Sequence, residues 1–87
     1  MKLNFSRRFE KQRGKLVKSV RHNLNERLRL LTEDCFHPLL ENHPLHGAYV
    51  GCRSINITGD YRAVFYHESP DIIRFIAIGT HHELFGT

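Results

Sequence analysis

Tyr61-Arg62-Ala63-Val64-Phe65-Tyr66-His67, the turn Glu68-Ser69-Pro70-Asp71 and the run Ile72-Ile73-Arg74-Phe75-Ile76-Ala77-Ile78 decide how this chain folds. Both runs are rich in β-branched and aromatic residues and are parted by turn formers, the pattern of two antiparallel strands. In each run both alternating sets hold apolar residues, such as Val64 with Tyr66 and Ala63 with Phe65. Neither face is therefore built to stand in water. One face is expected to take helices, the other to form a partly apolar groove flanked by the loop around His43 and the segment from Thr80 to Thr87.

Upstream of that hairpin, Tyr49 to Ile57 reads as a third strand across the turn Thr58-Gly59-Asp60. Its phase puts Ile55 and Ile57 on one face and Cys52, Ser54 and Asn56 on the other, so Asn56 is expected in the groove. Cys35 to Gly47 carries Pro38 and Pro44 and reads as a connection. Before it, Val20, Leu24, Leu28 and Leu31 fall on one stripe of a helix over about residues 18–34. Ser6 is a candidate N-cap for an earlier helix ending near Gly14, and Lys2 to Phe5 is a short strand. The expected architecture is α+β: an N-terminal strand, two helices packed on one face of an antiparallel sheet, and a three-stranded C-terminal meander. With 87 residues, the span 1–87 is expected to form a single domain.

Charge is distributed unevenly. Residues 1–31 hold ten Lys or Arg against Glu10 and Glu26, a net of +8, so the remaining residues sum to −4. A basic half attracts polyanions, either RNA or an acidic peptide partner. No apolar run approaches the roughly 18 residues of a membrane-spanning helix, and the chain opens without a signal-peptide core, so a cytoplasmic protein with no membrane partner is expected. Cys35 and Cys52 lack the spacing of a metal knuckle or redox pair and are expected to be reduced.

There is no phosphate-binding glycine loop, zinc spacing or serine elbow, and the nine Asp and Glu residues show no clustered pattern for a divalent cation. Neither His43 with His46 nor His81 with His82 has a spacing that gives metal ligation a geometric rationale, and no cofactor is expected. What remains is imidazole and guanidinium chemistry. Cleavage of RNA through its 2′-hydroxyl needs a base, a cation for the phosphorane and an acid for the 5′-oxygen. Histidine and arginine supply all three near neutral pH. Arg62 is the best candidate for the phosphate, with an ion pair to Asp60 or Glu83 as its structural alternative. Tyr49, Tyr61 and Phe85 offer stacking faces for bases, and Arg53, Asn56 and His82 are further candidate RNA contacts.

At these residues a resemblance becomes specific. His43-Pro44-Leu45-x-Gly47, Asp60-Tyr61-Arg62-Ala63-Val64-Phe65-Tyr66 and Ile78-Gly79-Thr80-His81-x-Glu83-Leu84-Phe85 resemble, in order and spacing, the YafQ-like branch of the RelE/ParE toxin superfamily. The resemblance implies a RelE-like fold and a ribosome-dependent mRNA endonuclease, with a cognate acidic antitoxin, the ribosome and mRNA as partners and no small-molecule cofactor. By position it implies functional roles for His43, His81, Asp60, Tyr61 and Phe85, while Arg62 matches an arginine of the RelE-like branch. On that reading His81 is general acid or base, and His43 is its complement or a phosphate-orienting donor. Arg62 stabilises the transition state, and Asp60 holds a histidine or arginine in place. Asn56 stands where the pattern often has a second histidine, and Ile78 where it has an arginine. The rival readings are a ParE-like gyrase inhibitor and a weakly active or inactive toxin that acts mainly as an antitoxin-binding module.

Overall fold

The computed structural model describes residues 1–86. In chain order the elements are β1 (Lys2–Phe5), α1 (Arg7–Gly14), α2 (Lys18–Glu33), β2 (His43–Pro44), β3 (Arg53–Thr58), β4 (Tyr61–Ser69), β5 (Ile72–Thr80) and α3 (His81–Phe85). The strands form one sheet in the order β1-β5-β4-β3-β2. Its three long strands are the antiparallel meander that the turns demand. β1 joins β5 in parallel, from Lys2 beside Ile72 to Phe5 beside Phe75, so the complete sheet is mixed.

Ser6 does cap α1: its Oγ accepts from the Phe9 amide at 3.0 Å. Val20, Leu24, Leu28 and Leu31 are the buried residues of α2, as their spacing requires. They pack with Phe9, Ile55, Ile57, Ala63, Phe65, Ile73, Phe75 and Ile78 into the larger core, on the helix side of the sheet. Each such side chain contributes about 1.5–3 kcal/mol by leaving water. The opposite side of the sheet carries a second, smaller cluster of Val64, Ala77 and Leu84, against which Leu45, Tyr49 and Phe85 pack. The two-sided apolar pattern of β4 and β5 thus reflects two unequal cores.

Two boundaries differ from the sequence reading. The third strand starts at Arg53 rather than Tyr49, because Gly47 and Gly51 adopt φ of +64° and +89° and fold residues 47–51 into a turn. The connection before it is also more ordered than its prolines suggest. A 3₁₀ turn at Pro38–Leu40 leads into β2, whose His43 and Pro44 pair with Ser54 and Arg53. Of the expected groove-covering segment, residues 81–85 form α3, and Thr87 lies outside the described residues.

β1 pairs only with the first half of β5, and α1 completes the edge with side chains. Ser6 Oγ donates to the Ile76 carbonyl at 3.3 Å, and the Ile78 amide donates to Gln12 Oε1 at 2.8 Å. A strand edge left without partners in a half-buried place costs about 1–3 kcal/mol per group. Gln12→Ala is therefore expected to lower unfolding stability in urea by about 1–2 kcal/mol. Gln12→Glu, which keeps an acceptor, should recover most of that loss.

Candidate active site

Three segments far apart in the chain meet on the side of the sheet away from α2. β2 delivers His43, the start of β4 delivers Arg62, and α3 delivers His81 and Phe85. With Leu45 they line one open recess of about 310 Å³. His81 stacks edge-on to Phe85 at 4.8 Å, and Phe85 meets Tyr49 at 5.8 Å, so an aromatic rim borders the imidazole.

Arg62 is the most constrained member. It is 9% exposed, and its Nε donates to Ser54 Oγ at 2.9 Å. Its Nη2 donates to the Glu41 carbonyl at 2.9 Å and to the Ser54 carbonyl at 3.3 Å, and lies 3.3 Å from His43 Nδ1. Nη1 stands outside this set of bonds. None of the ion pairs among the described residues includes Arg62, so neither Asp60 nor Glu83 neutralises it. Burial pulls its guanidinium below the ordinary arginine value, and the Glu41 carboxylate partly offsets that pull. A charge held in this way, with its orientation fixed before any ligand arrives, suits an anion.

His81 is placed by the start of α3. Its amide donates to the Asp60 carbonyl at 3.0 Å, which fastens the helix to the β3–β4 turn. Thr80 and Glu83 form a capping box, with Thr80 N donating to Glu83 Oε1 at 2.7 Å and Glu83 N to Thr80 Oγ1 at 3.2 Å. Gly79 leaves room beneath it: a Cβ there would meet Glu83 Oε1 at 3.0 Å and press on the capping carboxylate. The motif Gly79-Thr80-His81-x-Glu83 is thus a device for aiming His81. The amide and hydroxyl of Thr80 hold the Glu83 carboxyl below the ordinary glutamate value. The stabilisation this gives is complete above the ordinary value and is lost as pH falls through the lowered one. Thr80→Ala is expected to cost about 1 kcal/mol. It should also move the Glu83 titration, followed by NMR, upward toward the ordinary value.

The remaining candidates divide. Asn56 faces the groove side, opposite Arg62 in register, but its Nδ2 donates to the Gly59 carbonyl and it does not line the recess. Tyr49 reaches the aromatic rim and receives a hydrogen bond from Arg8 Nη2 at 3.4 Å. Tyr61 packs against the helix-side core, across the sheet from Arg62. Arg53 donates to Asn42 Oδ1 at 2.8 Å and lies over Phe36, bracing the loop before β2. His82 is exposed on α3 and is not a lining residue. Asp60 is exposed, and it is the main-chain carbonyl that holds His81. Ile78 is buried in the helix-side core, so Arg62 occupies the groove by its own register and not in place of that side chain.

Ser54 and Glu41 escaped the sequence reading. Ser54 was legible only as a groove-facing polar residue, and Glu41 contributes a carbonyl, which no side-chain pattern announces. Thr80-x-x-Glu83 carried a readable signal, the threonine and glutamate spacing of a capping box.

Comparison with known proteins follows this geometry. The profile described as "Bacterial toxin of type II toxin-antitoxin system, YafQ" matches residues 1–86. The crystal structure of YafQ from E. coli strain BL21(DE3) superposes with a TM-score of 0.77 at 26% identity, covering 97% of both chains. A crystal structure of the E. coli DinJ-YafQ toxin-antitoxin complex gives 0.74 at 27% identity, covering 97% of this chain and 96% of that one. The toxin-antitoxin complex RelBE2 from Mycobacterium tuberculosis, at 17% identity and a TM-score of 0.72 over 92% and 96% of the two chains, shares the fold. Sequence comparison with curated proteins returns no match. The match over nearly the whole chain, on a RelE-like fold, makes this protein a member of the YafQ family of bacterial type II toxin–antitoxin toxins.

Proposed function

We propose that the chain is a ribosome-dependent mRNA endonuclease that cleaves through the 2′-hydroxyl and is restrained by an acidic antitoxin. The observation that carries this reading is the convergence of His43, His81 and a buried, pre-oriented Arg62 on one recess. One imidazole takes the 2′-hydroxyl proton as the 2′-oxygen attacks phosphorus. The bond to the 5′-oxygen breaks, that oxygen receives a proton from the other imidazole, and a 2′,3′-cyclic phosphate and a 5′-hydroxyl are left. No metal ion is needed for these transfers. Arg62 stabilises the charge that builds on the phosphorane oxygens. Phe85 and Tyr49 offer faces for unstacked bases at the rim.

A second basic surface supports a polyanionic target. Arg7, Arg8, Lys11 and Lys15 border a shallow depression on α1. Arg8 links it to the rim through Tyr49. Docking on ribosomal RNA through such residues would make ribosome association fall steeply with added salt. The antitoxin is expected to cover either this basic half or the recess.

Primer extension on cellular transcripts after brief induction tests the activity. Cuts within translated messages are expected, and they should disappear with His81→Ala while circular dichroism stays unchanged. Intact transcripts in normally growing cells would overturn the reading. Asp60→Asn, which keeps the main-chain carbonyl that holds His81, separates the carboxylate from the turn. A loss of cleavage there assigns the carboxylate a role of its own.

A further inference from the structure

Glu41 is the single non-glycine residue with a positive φ among the described residues, at φ 46° and ψ 46°. A glutamate in the left-handed region is uncommon and is held there only by its surroundings. It follows the 3₁₀ turn at Pro38–Leu40 and stands two residues before His43. Its carbonyl lies 2.9 Å from Arg62 Nη2 and 2.9 Å from His43 Nδ1. A carbonyl oxygen has two lone pairs and accepts both.

The contact between Nδ1 and the Glu41 oxygen then decides the state of the imidazole. Nη2 carries two hydrogens, and the Glu41 and Ser54 carbonyls both lie within reach of it. His43 Nδ1 lies at the same 3.3 Å as the Ser54 carbonyl and competes with it for the second hydrogen, so the shorter contact to Glu41 is the one that discriminates. An unprotonated Nδ1 would set its lone pair against the Glu41 oxygen at 2.9 Å, whereas a protonated one donates to that oxygen. The ring nitrogen left for a substrate is Nε2.

We propose that Glu41 is a positioning residue whose left-handed backbone aims one carbonyl at both His43 and Arg62, fixing His43 as the Nδ1–H tautomer so that Nε2 is the base. This rests on the nuclease reading above and refines it. His43 Nε2 accepts the 2′-hydroxyl proton, and His81 is left to protonate the 5′-oxygen. The carbonyl is the working group for the tautomer, which should survive loss of the Glu41 side chain provided that the backbone stays left-handed, while the carboxylate acts on the Arg62 charge.

The test uses the full chain and two independent readouts. The nitrogen-15 signature of His43, recorded where the ring is neutral, is expected to show the proton on Nδ1. A proton on Nε2 overturns the proposal. Glu41→Gly, conservative for this backbone conformation, should retain the Nδ1–H signature and cut faster than Glu41→Val by about tenfold or more. Glu41→Val, whose β-branched side chain disfavours the left-handed region, should lose that signature and reduce cleavage tenfold or more, up to the order of 10²-fold expected for a group misplaced by about 1 Å. Loss of both readouts in Glu41→Gly, or their survival in folded Glu41→Val, refutes the role given to the carbonyl. If Glu41→Val does not fold, the parent's signature and Glu41→Gly still decide. An Nδ1–H signature in a protein that cuts no message sinks the nuclease reading and leaves the tautomer assignment intact.

Discussion

Arg62→Ala is expected to lower message cleavage on the order of 10²–10³-fold, the usual consequence of removing one pre-oriented donor from a developing negative charge. The effect should appear in the rate of the bound complex more than in ribosome association, because the guanidinium is buried beneath the recess while α1 presents the basic residues to solvent. The same substitution strips the partner from the fully buried Ser54 hydroxyl. A loss of about 1–3 kcal/mol in urea unfolding is therefore expected beside the kinetic loss. Arg62→Lys serves as the control. A lysine keeps one charge but lacks the planar fork that donates from Nε and Nη2 at once, so it should recover stability better than rate. Equal cleavage by Arg62→Ala and the parent in a translating extract would remove arginine from the mechanism.

The second large effect lies in the core. Phe9→Ala is expected to destabilise the protein by about 3–5 kcal/mol, since truncating a fully buried phenylalanine loses both the transfer energy and the packing around the cavity. Phe9 is 0% exposed, and its ring lies 5.2 Å from that of Phe5 and 5.5 Å from that of Phe75. It therefore joins α1, β1 and β5 at once. For a domain of this size the loss is a large share of the whole, given the usual 5–15 kcal/mol. Urea or thermal unfolding followed by circular dichroism will read it directly. Phe36→Ala is the contrast: at 65% exposure, with the Arg53 guanidinium as its ring partner, it should shift stability by no more than about 1 kcal/mol.

Why some of this was readable from residues and some not has a physical basis. The stripe of Val20, Leu24, Leu28 and Leu31 and the strands on either side of Glu68-Ser69-Pro70-Asp71 follow from local periodicity, and the fold respects them. The two-sided apolar pattern of β4 and β5 also required a covered second face, which α3 and the segment around Leu45 and Tyr49 provide. The start of β3 was misjudged because a β-branched and aromatic run looks the same whether or not glycines turn it, and Gly47 and Gly51 do. At the recess, motif positions identified His43, Arg62 and His81. Tyr61 and Arg53 point away, as strict alternation with Arg62 and with Ser54 requires, so their choice as groove contacts rested on residue type against the phase of the strands. The sequence could not show the support from Ser54 and the Glu41 carbonyl. That support depends on cross-strand register and on a main-chain atom.

The two borders of the sheet are finished differently. On one side α1 ties its own side chains to β5, where Ser6 and Gln12 occupy the places a further strand would take. On the other side β2 is two residues long and contains a proline, which has no amide hydrogen to offer. Open borders of this kind are where copies of a protein zip into ribbons. The second half of β5 and the short, proline-bearing β2 thus offer another copy of the chain little free main chain to pair with, which leaves the four residues of β1 as the longer border strand.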